Sequence, residues 1–175
     1  MNEKTKKLCL SAVCLALCMV LPFLTGQIPQ IGGALSPMHI PVLLCGLLCG
    51  WQYGLVIGFI APLLRFALFG MPPIMPTGLA MMFELAAYGA LSGILLKLLP
   101  KKIPFLYASL VGAMLGGRIV WGVARFVLGL AVGPAFTLGA FLSGAFVSAV
   151  PGIICHILLI PPVVMGVRRA LKLEL

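Results

Sequence analysis

The chain has 175 residues, which is enough for one domain, but its composition is not that of a water-soluble domain. Hydrophobic residues make up 62% of it and charged residues only 9%, whereas about a quarter of an average globular chain is charged. So few charged groups cannot cover the surface of a soluble fold. The composition therefore excludes disorder, a coiled coil, a secreted disulfide scaffold and a free nucleic-acid-binding protein, and indicates a polytopic membrane protein.

Apolar runs predict an all-α fold of six transmembrane helices, with residues 1–175 forming a single membrane domain. A transmembrane helix needs about 20 residues, with a range of about 17–25. The second run is shorter, so its helix must tilt or be completed by the loop before it. Uncharged loops separate several runs, at 25–37, 70–77 and 132–137. We predict helices over residues 8–24, 38–49, 54–69, 78–96, 105–131 and 138–165, the last with a kink at Pro151.

The net charge of +9 comes mostly from three short basic clusters that flank apolar runs. Such clusters anchor the cytoplasmic side of a membrane protein, where they meet anionic lipid headgroups. Six crossings put both termini on one side, and all three clusters predict that this side is cytoplasmic. The clusters are Lys4, Lys6 and Lys7; Lys97, Lys101 and Lys102; and Arg168, Arg169 and Lys172.

Several chemistries have no motif in this sequence. The six cysteines form no C-x-x-C pair and no set with zinc spacing, so they are interpreted as small packing residues, and no metal site or cofactor is expected. The sequence has no G-x-x-x-x-G-K-[ST], H-E-x-x-H or G-x-S-x-G. We therefore expect no ATP hydrolysis by this chain alone, and no enzymatic activity.

Ionisable residues inside the predicted spans are the candidates for function. An Arg or an acid near the centre of a span costs about 2.5–3.5 kcal/mol, so three Arg and one Glu cost about 10 kcal/mol together. Such a cost is unusual for a purely structural bundle. The six residues are His39, Arg65, Glu84, Arg118, Arg125 and His156.

Helix geometry predicts that these residues form a pocket open to the outside. Arg65, Glu84 and Arg125 fall about 7–11 Å below the outer ends of their helices, and His39 begins the second helix on the same side. Arg118 is expected deeper, near the middle of the membrane.

One face of the fifth helix carries Arg118, Trp121 and Arg125 at spacing i, i+3, i+7. An aromatic ring between two guanidinium groups suits a flat or anionic solute. With neutral histidines the buried charges leave an excess of +2, which a ligand carboxylate or phosphate would balance. The alternatives are a structural ion pair of Glu84 with Arg65 or Arg125, arginines that reach the outer headgroups, and histidines that are hydrogen-bonded inside the bundle.

Small residues recur at four-residue spacing, which lets helix backbones approach closely. For the glycines we expect packing inside the bundle. Ala12 and Ala16 lie on the first helix, where either internal packing or a partner protein is compatible with the spacing.

The ordered combination of segments in this chain resembles the substrate-binding S component of energy-coupling factor (ECF) vitamin transporters. The Ala12–Ala16 motif is followed by LPFLTGQIPQIGGALSPMHIPVLLCGLLCGWQYGLVIGFIAPLLR, GMPPIMPTGLAMMFELAAYG and GGRIVWGVARF. These segments are similar to the broad bacterial branch that includes proposed pantothenate carriers.

The resemblance implies a bacterial cytoplasmic membrane protein that binds a vitamin or precursor from outside, in a pocket capped by the first loop. It also implies a membrane coupling protein and two ATPase subunits as partners, with Ala12 and Ala16 on the docking face. Pantothenate is the expected substrate because the excess Arg favours an anion. Trp121, together with Phe83 and Tyr88, would also suit a ring, so folate-like, pyridoxine-like and deazapurine substrates stay open.

Two other functions are compatible with the sequence. A stand-alone secondary carrier for a small organic anion would transport its solute without partners. A membrane scaffold subunit would bind no small molecule saturably.

Overall fold

The computed structural model describes residues 2–24, 35–132 and 137–171, and within these ranges the regular structure is helical throughout. A π-helical turn at Ser143–Val147 precedes one of the helices, and the segment Ile74–Gly78, in which Met75 has extended backbone, precedes another. The α-helices are α1 (Glu3–Leu24), α2 (His39–Cys49), α3 (Trp51–Phe69), α4 (Leu79–Leu98), α5 (Ile103–Val132), α6 (Leu138–Leu142) and α7 (Val150–Leu171).

Five helical stretches of the described chain are long and apolar enough to cross a membrane. They are Glu3–Leu24, Trp51–Phe69, Ile74–Leu98, Ile103–Leu130 and Leu138–Leu171. The second predicted run forms the 11-residue apolar helix α2, which at 1.5 Å per residue covers about 16 Å, roughly half of the hydrocarbon core. The predicted shortness of this helix is confirmed, while six complete crossings stay a prediction.

Both ends of the described chain lie at the same end of the bundle, which we call the basic end. Lys7 of α1, Lys97 at the end of α4 and Arg168 near the end of α7 line one cavity there, together with the turn between α2 and α3. Arg168 also donates a hydrogen bond from Nη2 to the carbonyl oxygen of Leu47, at 2.6 Å. The three basic clusters, which are far apart in sequence, therefore have members at one end of the molecule.

Glycines bring α2, α3 and α4 into backbone contact. A Cβ atom on Gly89 would lie 2.8 Å from Cα of Gly54, and one on Gly93 would lie 2.7 Å from Cα of Trp51. Since no side chain fits at these distances, α3 and α4 pack through bare backbone. The predicted role of these glycines in packing the bundle is confirmed.

The last apolar run is interrupted close to the predicted kink. α6 ends at Leu142, the π-helical turn follows, and α7 begins at Val150, one residue before Pro151. Proline has no N–H to donate, and its ring crowds the carbonyl group four residues earlier, which is that of Val147. The break therefore falls just before the proline.

Candidate functional site

Four helices bring ionisable and aromatic side chains together in a buried group that we call the polar cluster. His39 begins α2, Glu84 and Tyr88 lie one turn apart on α4, Arg118 lies on α5 and His156 on α7. His39, Glu84, Tyr88 and His156 are each less than 5% exposed, and the side chain of Arg118 is 13% exposed. The polar cluster thus lies inside the bundle rather than on its lipid-facing surface.

The carboxylate of Glu84 is the centre of the polar cluster. Nη1 of Arg118 donates a hydrogen bond to its Oε1 at 2.9 Å, and Nε2 of His39 lies 3.4 Å from the same oxygen. The ring of Tyr88 meets the ring of His39 edge to face, with the centroids 5.0 Å apart. Tyr88 is also in electrostatic contact with Glu84 and Arg118. One acid therefore holds side chains from α2 and α5 against α4.

Two histidine rings stack at the edge of this group. The centroids of His39 and His156 are 6.2 Å apart and the rings are inclined by 20°. Within the described residues, neither ring nitrogen of His39 has a hydrogen-bond partner, and neither does Nε2 of His156. Buried polar atoms without partners are rare and cost free energy. These nitrogens are therefore suited to hydrogen bonds with a polar molecule.

The sequence marks His156 as an ionisable residue within a span but does not assign it to the substrate site. Its presence within a predicted span was the available signal, since ionisable residues inside a membrane protein mark functional positions. Only the packing of α7 against α2 shows that it stacks on His39.

The length of α5 explains why Glu84 pairs with Arg118. Counted from the basic end at about 1.5 Å per residue, Glu84 lies about 21 Å up α4 and Arg118 about 22 Å up α5. Depths counted from the outer ends give a different result, because the outer ends of the two helices are not level. The 30 residues of α5 extend about 15 Å beyond the 20 residues of α4. The predictions that Arg118 lies deeper than Glu84, and that Arg125 lies level with it, are therefore wrong.

Arg125 and Trp121 continue the inner face of α5 beyond the polar cluster. Arg118, Trp121 and Arg125 are all partly buried, whereas Ile119 and Val123 between them are more than half exposed. This alternation agrees with the shared face predicted from the spacing. Arg125 lies two turns, about 10 Å, further from the basic end than Arg118.

The indole of Trp121 packs against the segment that precedes α7. It stacks on the ring of Phe141, with the centroids 6.3 Å apart and the planes inclined by 28°. A Cβ atom on Gly144 would lie 3.0 Å from the indole ring. Because glycine has no Cβ, the indole can pack directly against the π-helical turn. The indole of Trp121 thus lies between α5 and the segment of α6 and the π-helical turn that contains Phe141 and Gly144.

Arg65 has a different set of contacts, with α1 and with aromatic rings. Its Nη1 donates a hydrogen bond to the carbonyl oxygen of Met19 at 2.6 Å. Its guanidinium carbon lies 5.1 Å from the ring centroid of Phe23 and 5.2 Å from that of Phe69, at cation–π distance. The ion pair of Glu84 in the structure is with Arg118, whereas the structural alternative expects Arg65 or Arg125 as its partner. A ligand contact of Arg65 stays a prediction.

The segment just before α2 is strained and touches the polar cluster. Ser36 has a φ of 46°, in the left-handed region that non-glycine residues rarely adopt. Its carbonyl oxygen accepts a hydrogen bond from the backbone N–H of His39 at 2.9 Å, and its backbone lies against the ring of His156. Strain of this kind concentrates at functional sites. The remainder of the predicted capping loop, residues 25–34, lies outside the described residues.

A cavity of about 80 Å³ reaches the polar cluster at Arg118. Small-molecule sites usually measure about 300–1,000 Å³, so a vitamin-sized solute would have to widen this cavity. Among the described residues, no three of His, Cys, Asp and Glu are placed to hold a metal ion. The other lining residues are apolar: Val111, Met114, Leu115, Ala145, Ile153 and Ile157.

Ala12 and Ala16 are both exposed on α1. Ala12 lines a groove of about 420 Å³ between α1 and α3, with Leu15, Tyr53 and Val56 among its walls. Their exposure argues against packing inside the bundle, and a contact with a partner protein stays a prediction.

Long apolar helices around a buried charged centre define a multi-pass membrane protein with a polar site inside its bundle, the arrangement that solute-handling membrane proteins use. Within that class the chain belongs to the family of ECF transporter substrate-specific components, whose family model matches residues 6–164. Comparison with curated proteins and with solved structures gave no match. The resemblance seen in the sequence is thus confirmed at the level of the family, which is a transporter component and not an enzyme.

Proposed function

We propose that this chain is the substrate-binding subunit of an ECF vitamin importer in a bacterial cytoplasmic membrane. Its substrate site would consist of the polar cluster together with Trp121 and Arg125. The observation that carries this proposal is the set of buried histidine nitrogens that have no hydrogen-bond partner in the described part of the chain and lie beside the Glu84–Arg118 pair. Membership of the family agrees with it.

An anionic substrate fits the charges of the site best. Arg118 pairs with Glu84, and Arg125 places a second guanidinium group on the same face of α5. A carboxylate of the solute would be attracted to this face, and polar groups elsewhere in the solute would reach His39 and His156. Pantothenate has a carboxylate at one end and hydroxyl groups at the other, so it is our leading substrate.

Mass spectrometry of small molecules that co-purify with the protein tests the proposal directly. We expect one anionic vitamin or precursor, released on denaturation in an amount close to that of the protein. Labelled pantothenate should then bind saturably to the emptied protein in detergent, and folate and pyridoxine should compete poorly. Absence of any saturable small-molecule binding would contradict the proposal and favour a scaffold subunit.

Replacing Arg125 by Ala should weaken binding of the co-purified ligand about tenfold or more, because a charge-assisted hydrogen bond contributes about 1.5–3 kcal/mol. The measurement is equilibrium binding in detergent, with membrane insertion checked by yield. Arg169→Ala is the matched control, since Arg169 is an exposed arginine near the end of α7. Equal affinity in the Arg125→Ala protein would remove this residue from the site.

Import would need a coupling protein and two ATPase subunits, since the sequence has no ATP-binding motif of its own. The exposed Ala12 and Ala16 are the proposed contact for the coupling protein, because small side chains let a partner helix approach closely.

A bulky residue at position 16, as in Ala16→Trp, should prevent co-purification of the coupling protein and ATPases while ligand affinity stays within about twofold. Ala108→Trp is the matched control, because Ala108 is an exposed alanine on α5. Normal assembly of the Ala16→Trp protein would exclude this docking face. Transport by the purified chain alone in liposomes would instead identify a secondary carrier.

A further inference from the structure

The basic end of the bundle contains a cavity of about 350 Å³ that the proposed substrate site does not use. Its volume is within the range of small-molecule sites. It lies about 20 Å from the polar cluster along α4. Four cationic residues and one acid line it: Lys7, Lys97, Lys101, Arg168 and Glu3.

The charge of this cavity favours an anion. Among the described residues, its lining carries four positive charges and one negative charge, a net +3, and the acid, Glu3, also forms an ion pair with Lys6 at 3.6 Å. The cations come from α1, α4, the α4–α5 connection and α7, so only the folded bundle brings them together. A charged group in the cavity would meet several of them at once.

The backbone of the cavity wall adds to this field. α3 begins at Trp51 in the wall, and its amino end, where a helix dipole is positive, has no side-chain cap. The carboxyl end of α2, where the helix dipole is negative, lies beside it. There the guanidinium group of Arg168 donates a hydrogen bond to the carbonyl oxygen of Leu47 and offsets that negative end. Gly50 has nothing within 4 Å of its Cβ position, so this part of the wall is open.

The remaining wall indicates that the anion belongs to a lipid. Leu47, Leu48 and Leu96 supply apolar surface beside the cations, and Trp51 is 39% exposed at the rim. Tryptophan next to lysines is typical of the headgroup level of a membrane, and basic pockets between transmembrane helices bind anionic headgroups. A small soluble anion has no apolar surface to bury against these leucines, whereas an acyl chain does.

We propose that the cavity lined by Lys7, Lys97, Lys101 and Arg168 binds the phosphate headgroup of an anionic phospholipid, with one acyl chain along the leucines at its side. This site is independent of the substrate site.

The test uses the full chain in nanodiscs and compares two matched pairs of variants. Lys97→Gln and Arg168→Gln each remove a cation that lines the cavity, whereas Lys102→Gln and Arg169→Gln remove neighbouring cations that do not. Retention of phosphatidylglycerol against phosphatidylcholine is measured by native mass spectrometry after release from the nanodisc. Each cavity variant should retain phosphatidylglycerol about fivefold less well, and the controls should match the unmodified protein.

Three outcomes would overturn the proposal. Equal losses in the cavity variants and the controls would show a general attraction of the basic end instead of a site. Equal retention of both lipids by the unmodified protein would show no preference for a charged headgroup. Protection against heat by inorganic phosphate as strong as that by phosphatidylglycerol would assign the cavity to a soluble anion. Ligand binding at the polar cluster, measured in the same variants, should stay unchanged.

Discussion

Of the two acids in the described chain, Glu84 is the one buried inside the bundle. It is 2% exposed, pairs with Arg118 and approaches His39, so it connects three helices through one carboxylate. Burial of the pair is costly, and a buried ion pair often stabilises no more than apolar residues of the same volume would. Retaining it inside an apolar bundle therefore agrees with a role in the proposed site.

Replacing Glu84 by Gln should lower the free energy of unfolding by about 3–5 kcal/mol, because it leaves the Arg118 guanidinium buried without its counter-charge. The measurement is unfolding of the purified protein in detergent. The double variant Glu84→Gln/Arg118→Met should regain most of that stability, because it removes both charges, yet it should fail to bind ligand. Glu3→Gln is the control, since Glu3 has an exposed side chain. If Glu84→Gln leaves stability unchanged, the pair does not hold the helices together.

At the scale of helices, the shortness of α2 positions the site. Because α2 ends at the basic end after only 11 residues, its first residue, His39, falls at the level of Glu84 and Arg118. The strained Ser36 precedes it directly. A full-length helix in this place would extend beyond the polar cluster, whereas the short one begins level with it.

The glycine contact between α3 and α4 should be sensitive to a single methyl group. Gly89→Ala should destabilise the protein by about 1–3 kcal/mol, because its Cβ would meet the backbone of Gly54 and the two helices would have to separate. Thermal unfolding in detergent gives the measurement. Gly166→Ala is the matched control on α7, where nothing lies within 4 Å, and it should be neutral or stabilising by up to about 1 kcal/mol. Equal effects of the two substitutions would show that helix propensity, not packing, determines the result.

At the scale of the whole molecule, the basic end predicts the orientation in the membrane. α1, α4 and α7 each place basic residues around one cavity there, whereas the buried ionisable residues lie about 20 Å away along the bundle. Concentration of Lys and Arg at one end is the pattern that orients membrane proteins with that end in the cytoplasm. An even number of crossings, with both termini in the cytoplasm, stays a prediction.

Reporter fusions test that orientation. A fluorescent protein fused to either terminus should be fluorescent, and alkaline phosphatase fused to either terminus should be inactive, because both termini are expected in the cytoplasm. A phosphatase fused within the uncharged loop at 70–77 should be active and serves as the control. Opposite results at the two termini would require an odd number of crossings.

The sequence alone determined the membrane class, most helix ends to within about three residues and the others to within six, the short second run, the break near Pro151 and the six ionisable residues inside the spans. Apolar length, proline and charge act locally, and their effects are therefore readable along the chain. Tertiary structure decided that Glu84 pairs with Arg118, that His156 stacks on His39 and that Arg65 bonds to Met19. These contacts depend on how far each helix extends and how it is rotated against its neighbours, and backbone packing between distant segments sets both quantities.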